Sequence, residues 1–283
     1  MRQHLHLHIL LADTKARIAT IILFTLVGSA LFLSLFTSPT ITIALAVSVG
    51  LIALTWWKPQ SVLLGLLAYL PFEPFVLKWI PDDIYIFARY GSELVIYMLV
   101  GAVLLRMFWE EKKWKRSAFD VPFVFFLLAI LASVVVNVVD PTVALLGARQ
   151  LLRFLLLFFV VVQMAPSKKW MKSLLVVLTV VASSQVVLGG LQAITGGSLD
   201  TFLLPSERRT LGSIQLTEGT DQFWDPGQRV FGTMGRYDQL GIFLALVFLL
   251  IIGFLYDKRV GKKMKMICIA VLVLGLPVLV LTY

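Results

Sequence analysis

The feature that most constrains this sequence is a series of long apolar runs that recur along almost its whole length. A lipid bilayer has a hydrocarbon core about 30 Å thick, which an α-helix of about 20 apolar residues crosses. The runs cover residues 18–36, 40–56, 62–80, 94–108, 121–139, 151–164, 174–194, 240–256 and 266–282. They predict an all-α, polytopic integral membrane protein with about nine transmembrane helices.

The composition excludes a soluble domain. The mean hydropathy is +0.91, and 59% of the residues are hydrophobic while only 14% are charged. A water-soluble globule of this length could not bury so much apolar surface. The single cysteine, Cys268, lies inside an apolar run, so no disulfide within the chain is expected.

Two of the predicted spans are irregular. The third contains Pro71, Glu73 and Pro74, which predict that its outer half is kinked or lies in the membrane interface. The sixth span, 151–164, is short, and Arg149 and Arg153 lie at its start. We expect this helix to enter the membrane obliquely.

The distribution of basic residues predicts the orientation, because lysine and arginine in short loops are retained on the cytoplasmic side. Alternating the spans places 17 of the 25 basic residues inside and 8 outside. The N-terminus is therefore expected in the cytoplasm, and the long polar loop 196–236, before the eighth span, outside. The net charge of +9 follows mostly from this asymmetry, so we expect no nucleic-acid partner.

The outer basic residues are almost all arginine; the one outer lysine is Lys78. A guanidinium binds phosphate or carboxylate through two parallel hydrogen bonds, which an ammonium cannot do. The alternative is chance combined with selection against outer lysine. The pattern favours an anionic ligand at the outer surface.

The candidate site residues follow from this pattern. An anionic ligand needs cations, and removal of a proton from an acceptor hydroxyl needs a base. The substrate-binding candidates are Arg149, Arg153, Arg208, Arg209, Arg229 and Arg236, and the catalytic candidates are Asp221, Asp225 and Asp238. The alternatives are loop residues neutralised by solvated ion pairs and, for Arg149 and Arg153, side chains that extend to lipid phosphate.

Other polar groups have weaker functional interpretations. Asp82 and Asp83 could bind a metal or supply a base, but a turn or a short helix start is the favoured interpretation. Polar and small residues in the seventh span, among them Gln185 and Gln192, are more typical of helix packing than of a substrate path. His4, His6 and His8 alternate near the N-terminus, where a disordered or interfacial segment is favoured over a metal site. We therefore predict no metal and no cofactor.

The segment RVFGTMGRYDQLG, residues 229–241, continues directly into an apolar run. With that run it resembles the signature of the O-antigen ligase and polymerase family: an arginine, a Gly-Thr pair and a short polar segment that opens a helix. The order of loops around it and the final LTY are also similar to that family. The resemblance extends over essentially the whole chain but only the front of the family's domain, because the family's distal histidine loop is absent.

The resemblance implies a multi-pass glycosyltransferase of the bacterial inner membrane. Its donor would be an undecaprenyl-diphosphate-linked glycan, and its acceptor a lipid-linked or glycan-linked molecule at the outer face. Arg229 would contact the donor diphosphate. We expect one transmembrane helical domain, 1–283, that continues in a longer protein, because the chain stops at Tyr283 without a polar tail.

Three rival functions remain open from the sequence. One is another polyprenyl-phosphate-dependent glycosyltransferase, with Asp82 or Asp83 as the base. The second is a lipid-linked glycan flippase or a different transporter, for which ionisable residues deep within the spans would be expected. A passive binding module also fits a surface with clustered charges.

Overall fold

The computed structural model describes residues 25, 28, 29, 32, 39–109, 113–204, 210–211, 214–215, 227, 229–258 and 260–283. The helices are α1 (Pro39–Trp57), α2 (Pro59–Tyr69), α3 (Glu73–Leu77), α4 (Asp82–Arg89), α5 (Gly91–Trp109), α6 (Asp120–Val136), α7 (Pro141–Met164), α8 (Lys168–Ile194), α9 (Asp200–Leu203), α10 (Tyr237–Tyr256) and α11 (Lys262–Val280). Two short strands, β1 (Thr210–Leu211) and β2 (Ile214–Gln215), pair antiparallel. The predicted helical fold is confirmed.

Six helical stretches in the described part of the chain are long and apolar enough to cross a membrane. They are Pro59–Leu77, α5, α7, α8, α10 and α11. Two further apolar helices, Ile41–Trp57 within α1 and the whole of α6, are shorter. The first predicted span lies mostly outside the described residues. These helices are those of a multi-pass membrane protein, while the count of nine spans and their orientation stay predictions.

The third span is interrupted, as its prolines predict. Helix α2 ends at Tyr69, a 3₁₀ turn covers Leu70–Phe72, and α3 begins at Glu73. Proline has no backbone N–H and its ring collides with the preceding turn, so Pro71 and Pro74 prevent one regular helix. The break exposes backbone groups to partners outside the helix.

The prediction of a short sixth span at 151–164 is wrong, because α7 begins ten residues earlier, at Pro141. The carboxylate of Asp140 caps this helix by accepting hydrogen bonds from the backbone N–H groups of Thr142 and Val143, at 2.8 and 3.3 Å. Proline at the first helical position has no N–H that needs a partner. Polar side chains interrupt the apolar run here but not the helix.

The described residues form two compact units. Unit 1 comprises the described residues up to Val62 together with residues 82–165. Within it α5 packs against α7 and α1. The α5 face that becomes buried carries Val95, Ile96, Leu99, Ala102 and Val103. At the end of this helix Arg106 donates a hydrogen bond to the carbonyl of Trp56 in α1.

Unit 2 comprises residues 63–81 and 166–283. Helices α8, α10 and α11 pack against one another around a core that includes Val186, Leu244 and Phe248. Gly275 of α11 lets this packing be close, because a Cβ there would lie 2.9 Å from the Val186 side chain. Apolar residues such as Ile242 and Leu249 remain 63% and 66% exposed, as lipid-facing side chains do.

Candidate functional site

The segment 229–236, here called the arginine loop, leads into α10 and is held against the rest of unit 2. Val230 and Phe231 are buried. The backbone N–H of Val230 donates a hydrogen bond to the carbonyl of Leu281, at 3.0 Å. The loop is therefore anchored beside the end of α11.

Two buried glutamines of α8 hold the backbone of the arginine loop. Gln192 Oε1 accepts hydrogen bonds from the N–H groups of Phe231 and Gly232, at 3.2 and 3.1 Å. Two helical turns earlier, Gln185 Oε1 accepts from the N–H of Thr233, at 3.2 Å. These two side chains give three consecutive buried amides of the loop their acceptors. The sequence interpretation of the glutamines as packing residues is compatible with this role, but sequence did not identify what they bind.

Thr233 ties the arginine loop to the broken third span. Its hydroxyl donates to the carbonyl of Pro71, at 2.8 Å, and accepts from Gln185 Nε2, at 2.6 Å. Thr233 is 3% exposed, so both contacts are shielded from solvent. A buried hydroxyl with both of its roles satisfied fixes the loop conformation.

Asp200 extends the same hydrogen-bond network and was missed by sequence reasoning. Its carboxylate accepts from Gln192 Nε2 at 2.7 Å and from the N–H of Gly227 at 3.1 Å, and the residue is only 1% exposed. The backbones of Gly197 and Gly227 meet here, since a Cβ on Gly197 would lie 2.9 Å from Gly227 N. Asp200 therefore stabilises the base of the polar region, and no sequence pattern distinguished it from the other loop carboxylates.

Arg229 is the first residue of the arginine loop and stacks on an aromatic ring. Its side chain is exposed, and its Cζ atom lies 4.4 Å from the centre of the Tyr237 ring. Among the described residues no carboxylate forms an ion pair with it. Stacking on an aromatic face orients a guanidinium while leaving its N–H groups free to bind an anion.

Arg236 and Asp238 form a bidentate pair at the start of α10. Arg236 Nε donates to Asp238 Oδ1 at 3.0 Å, and Nη2 donates to Oδ2 at 2.9 Å. This hydrogen bonding raises the pKa of Arg236 above its ordinary value. The two side chains are 47% and 43% exposed, so solvent screens the ion pair and the free energy needed to separate it is small. The assignment of Asp238 as a catalytic base stays a prediction.

Arg149 and Arg153 belong to unit 1, whereas the arginine loop belongs to unit 2. They lie one turn apart within α7, the ninth and thirteenth residues of that helix. They therefore lie in the middle of this helix and not at its start, because α7 begins at Pro141. Arg149 Nε lies 3.2 Å from Glu93 Oε1, and the Tyr97 hydroxyl donates to the same oxygen at 2.6 Å.

The remaining candidates divide into those that the structure places and those that it does not. Asp82 and Asp83 occupy the first turn of α4, which agrees with the helix-start interpretation. Arg208, Arg209, Asp221 and Asp225, together with His4, His6 and His8, lie outside the described residues. Within the part of the chain that the structure describes, no group of three or more His, Cys, Asp or Glu residues could hold a metal ion.

No protein-family model matches this chain, and no curated protein or solved structure matches it either. The resemblance carried by residues 229–241 therefore stays a hypothesis.

Proposed function

We propose that the chain acts as a membrane glycosyltransferase of the O-antigen ligase or polymerase type. It would transfer a glycan from undecaprenyl diphosphate to a lipid-linked or glycan-linked acceptor at the outer, periplasmic face of the bacterial inner membrane. The observation that carries this proposal is the exposed guanidinium of Arg229, oriented by Tyr237 on a loop that Gln185 and Gln192 hold rigid. Such a group fits the recognition of a diphosphate at a membrane surface.

The reaction needs stabilisation of the leaving group. The bond between the sugar's anomeric carbon and the diphosphate oxygen breaks, and the diphosphate leaves with the bonding electrons. A guanidinium that is already in place stabilises this developing charge, because no reorganisation is needed when the bond breaks. In the proposal Arg229 has this role, with Arg208 and Arg209 as further candidates.

The reaction also needs a base for the acceptor hydroxyl, whose oxygen forms the new bond to the anomeric carbon. Asp238 is the described candidate, with Asp221 and Asp225 as the others. While Arg236 engages both oxygens of Asp238, the carboxylate is a poor base. If the incoming diphosphate draws Arg236 away, Asp238 is released to accept the proton, which couples donor binding to activation of the acceptor.

The test measures glycan transfer in cells that lack the endogenous enzyme, at matched membrane abundance of the full-length gene product. Arg229→Gln should reduce transfer by about a hundredfold, the effect expected for removal of a charge-stabilising donor. Arg229→Lys, which keeps the charge but not the planar fork, should retain part of the activity. Arg116→Gln removes an exposed arginine of the 113–119 segment and is the control. Unchanged transfer by Arg229→Gln would remove the main support for the proposal.

A lipid-linked glycan flippase is the second candidate, because α7 carries Arg149 and Arg153 well inside a candidate span. Charges in such positions are expected of a protein that moves an anionic substrate across the membrane. Glu93 lies beside Arg149 but only in the first turn of α5, which places the cluster near one end of that helix. Movement of a labelled glycolipid between leaflets of proteoliposomes, without glycan transfer, would favour this candidate.

A further inference from the structure

Unit 1 contains a cluster of polar side chains between two candidate membrane spans, α5 and α7. Glu93 is 5% exposed. Its Oε1 atom accepts a hydrogen bond from the Tyr97 hydroxyl at 2.6 Å and lies 3.2 Å from Arg149 Nε. Arg149 also lies over the Tyr90 ring, with Cζ 4.7 Å from the ring centre. The charge of Arg149 is therefore matched by Glu93.

Arg153 lies one helical turn farther along α7, and its charge is not matched in this way. Its Cζ atom is 4.6 Å from the centre of the Phe154 ring. Its Nε atom is buried and has no hydrogen-bond acceptor among the residues that the structure describes. The Nε atom of Arg149 also forms no well-aligned hydrogen bond there, but it lies within ion-pair distance of Glu93. A buried N–H donor without an acceptor is unfavourable, so a ligand that supplies an acceptor to Arg153 would be stabilising.

The charges and surroundings of the cluster define the ligand. Two guanidinium groups and one carboxylate leave a net charge of about +1 when all three are ionised. The neighbouring side chains Leu94, Leu151 and Phe154 are 49%, 53% and 51% exposed, and they belong to helices apolar enough to span a membrane. A complementary ligand carries one negative charge and is attached to acyl chains.

We propose that Glu93, Tyr97, Arg149 and Arg153 form a binding site for the phosphodiester group of an anionic membrane phospholipid. Arg153 is the direct phosphate ligand. Glu93 is a positioning residue, because it holds Arg149 and limits the site to one net positive charge. A polyprenyl diphosphate carries at least two negative charges at neutral pH and would leave excess negative charge in this apolar setting. The site does not depend on the proposed glycosyl transfer, since it requires only a membrane.

The test uses the full chain, purified in detergent and titrated with defined lipids under native mass spectrometry. Phosphatidylglycerol, a phosphodiester with one negative charge, is expected to bind more tightly than undecaprenyl diphosphate, while uncharged diacylglycerol and inorganic phosphate bind weakly. Arg153→Gln should weaken phosphatidylglycerol binding about tenfold, the effect of losing one charge-assisted hydrogen bond. Arg116→Gln, the exposed arginine control in the same unit, should bind as the unchanged protein does.

Glu93→Gln is a second variant, which keeps both arginines and an acceptor for Tyr97 but raises the net charge of the site by one. It should shift the preference from phosphatidylglycerol towards the diphosphate lipid. If Arg153→Gln cannot be recovered in folded form, this shift in lipid preference by itself tests whether the cluster is the phosphodiester site. Equal phosphatidylglycerol binding by Arg153→Gln, or a preference of the unchanged protein for the diphosphate, would overturn the proposal. Loss of glycan transfer is measured separately, so failure of the two proposals is distinguishable.

Discussion

Gln185 and Thr233 are joined by two hydrogen bonds, although 48 positions separate them in the sequence. Gln185 Nε2 donates to the Thr233 hydroxyl at 2.6 Å, and the backbone N–H of Thr233 donates to Gln185 Oε1 at 3.2 Å. Gln185 is 0% exposed. A buried pair of this kind connects helix α8 to the arginine loop, so the position of the loop depends on the helix.

Replacing Gln185 with leucine should loosen the arginine loop. The change leaves the Thr233 amide without its acceptor, and an unsatisfied buried group of this kind costs about 1–3 kcal/mol. Hydrogen exchange of residues 229–236 should become faster, and the midpoint of thermal unfolding in detergent should fall. The matched control is Gln150→Leu, an exposed glutamine on α7. Equal protection of the loop in both variants would show that the pair does not hold it.

Alanine at Gly232 should destabilise unit 2. Gly232 has φ +56°, and a Cβ there would lie 2.5 Å from Gln185 Oε1. The left-handed conformation costs an alanine about 1–2 kcal/mol, and the steric overlap adds to this. Thermal unfolding should register a loss of about 2 kcal/mol or more. Gly253→Ala, in the last turn of α10 with open space around it, should be neutral or slightly stabilising. Equal losses of stability in the two variants would contradict the conclusion that the left-handed backbone of Gly232 and its close approach to Gln185 require a glycine.

The start of α7 should lose stability in acid. Backbone hydrogen bonds from Thr142 and Val143 hold the pKa of Asp140 below its ordinary value. Its folded-state pKa is thus below its unfolded-state pKa, so the stabilisation is complete above the unfolded-state pKa and is lost as pH falls through the folded-state pKa. Amide exchange at Thr142 and Val143 should show this loss. Asp140→Asn keeps a capping oxygen but does not titrate, so its protection should not change over that pH range.

The predicted orientation places Ser198 outside the cell and Lys169 inside it. Both residues are exposed; Lys169 lies in the first turn of α8, and Ser198 lies four residues after its end. The one native cysteine, Cys268, is buried. In whole cells a membrane-impermeant maleimide should label Ser198→Cys, and it should label Lys169→Cys only after permeabilisation. The unsubstituted protein measures the background at Cys268. The reverse pattern would place the arginine loop in the cytoplasm and contradict transfer at the outer face.

Much of the helical architecture could be predicted because it depends on local composition. Eight of the nine predicted apolar runs coincide with described helices, and Pro71 and Pro74 indicated the break in the third span. The beginning of α7 was missed because its start depends on the Asp140 cap, while the apolar pattern becomes strong only after Arg149. Hydropathy identifies where a helix is apolar but does not identify where it begins.

The candidate site could be predicted only in part. The arginine loop was recognised from its own residues, and Arg229 is exposed as an anion-binding residue should be. Glu93 was missed because the predicted span began at 94, although a carboxylate beside an apolar run is a signal of function. Its partner Arg149 is 56 positions away, and nothing in the spacing of the two residues relates them.

By itself the sequence determined that this protein is helical and belongs in a membrane, because apolar length and the backbone's need for hydrogen bonds leave few alternatives in lipid. It also determined which cations and carboxylates are available. Only the tertiary structure decided which of them meet: Gln192 with the arginine loop and Asp200, Arg236 with Asp238, and Arg149 with Glu93. The physical reason is that a hydrogen bond or an ion pair depends on distances of about 3 Å, which the packing of distant segments sets.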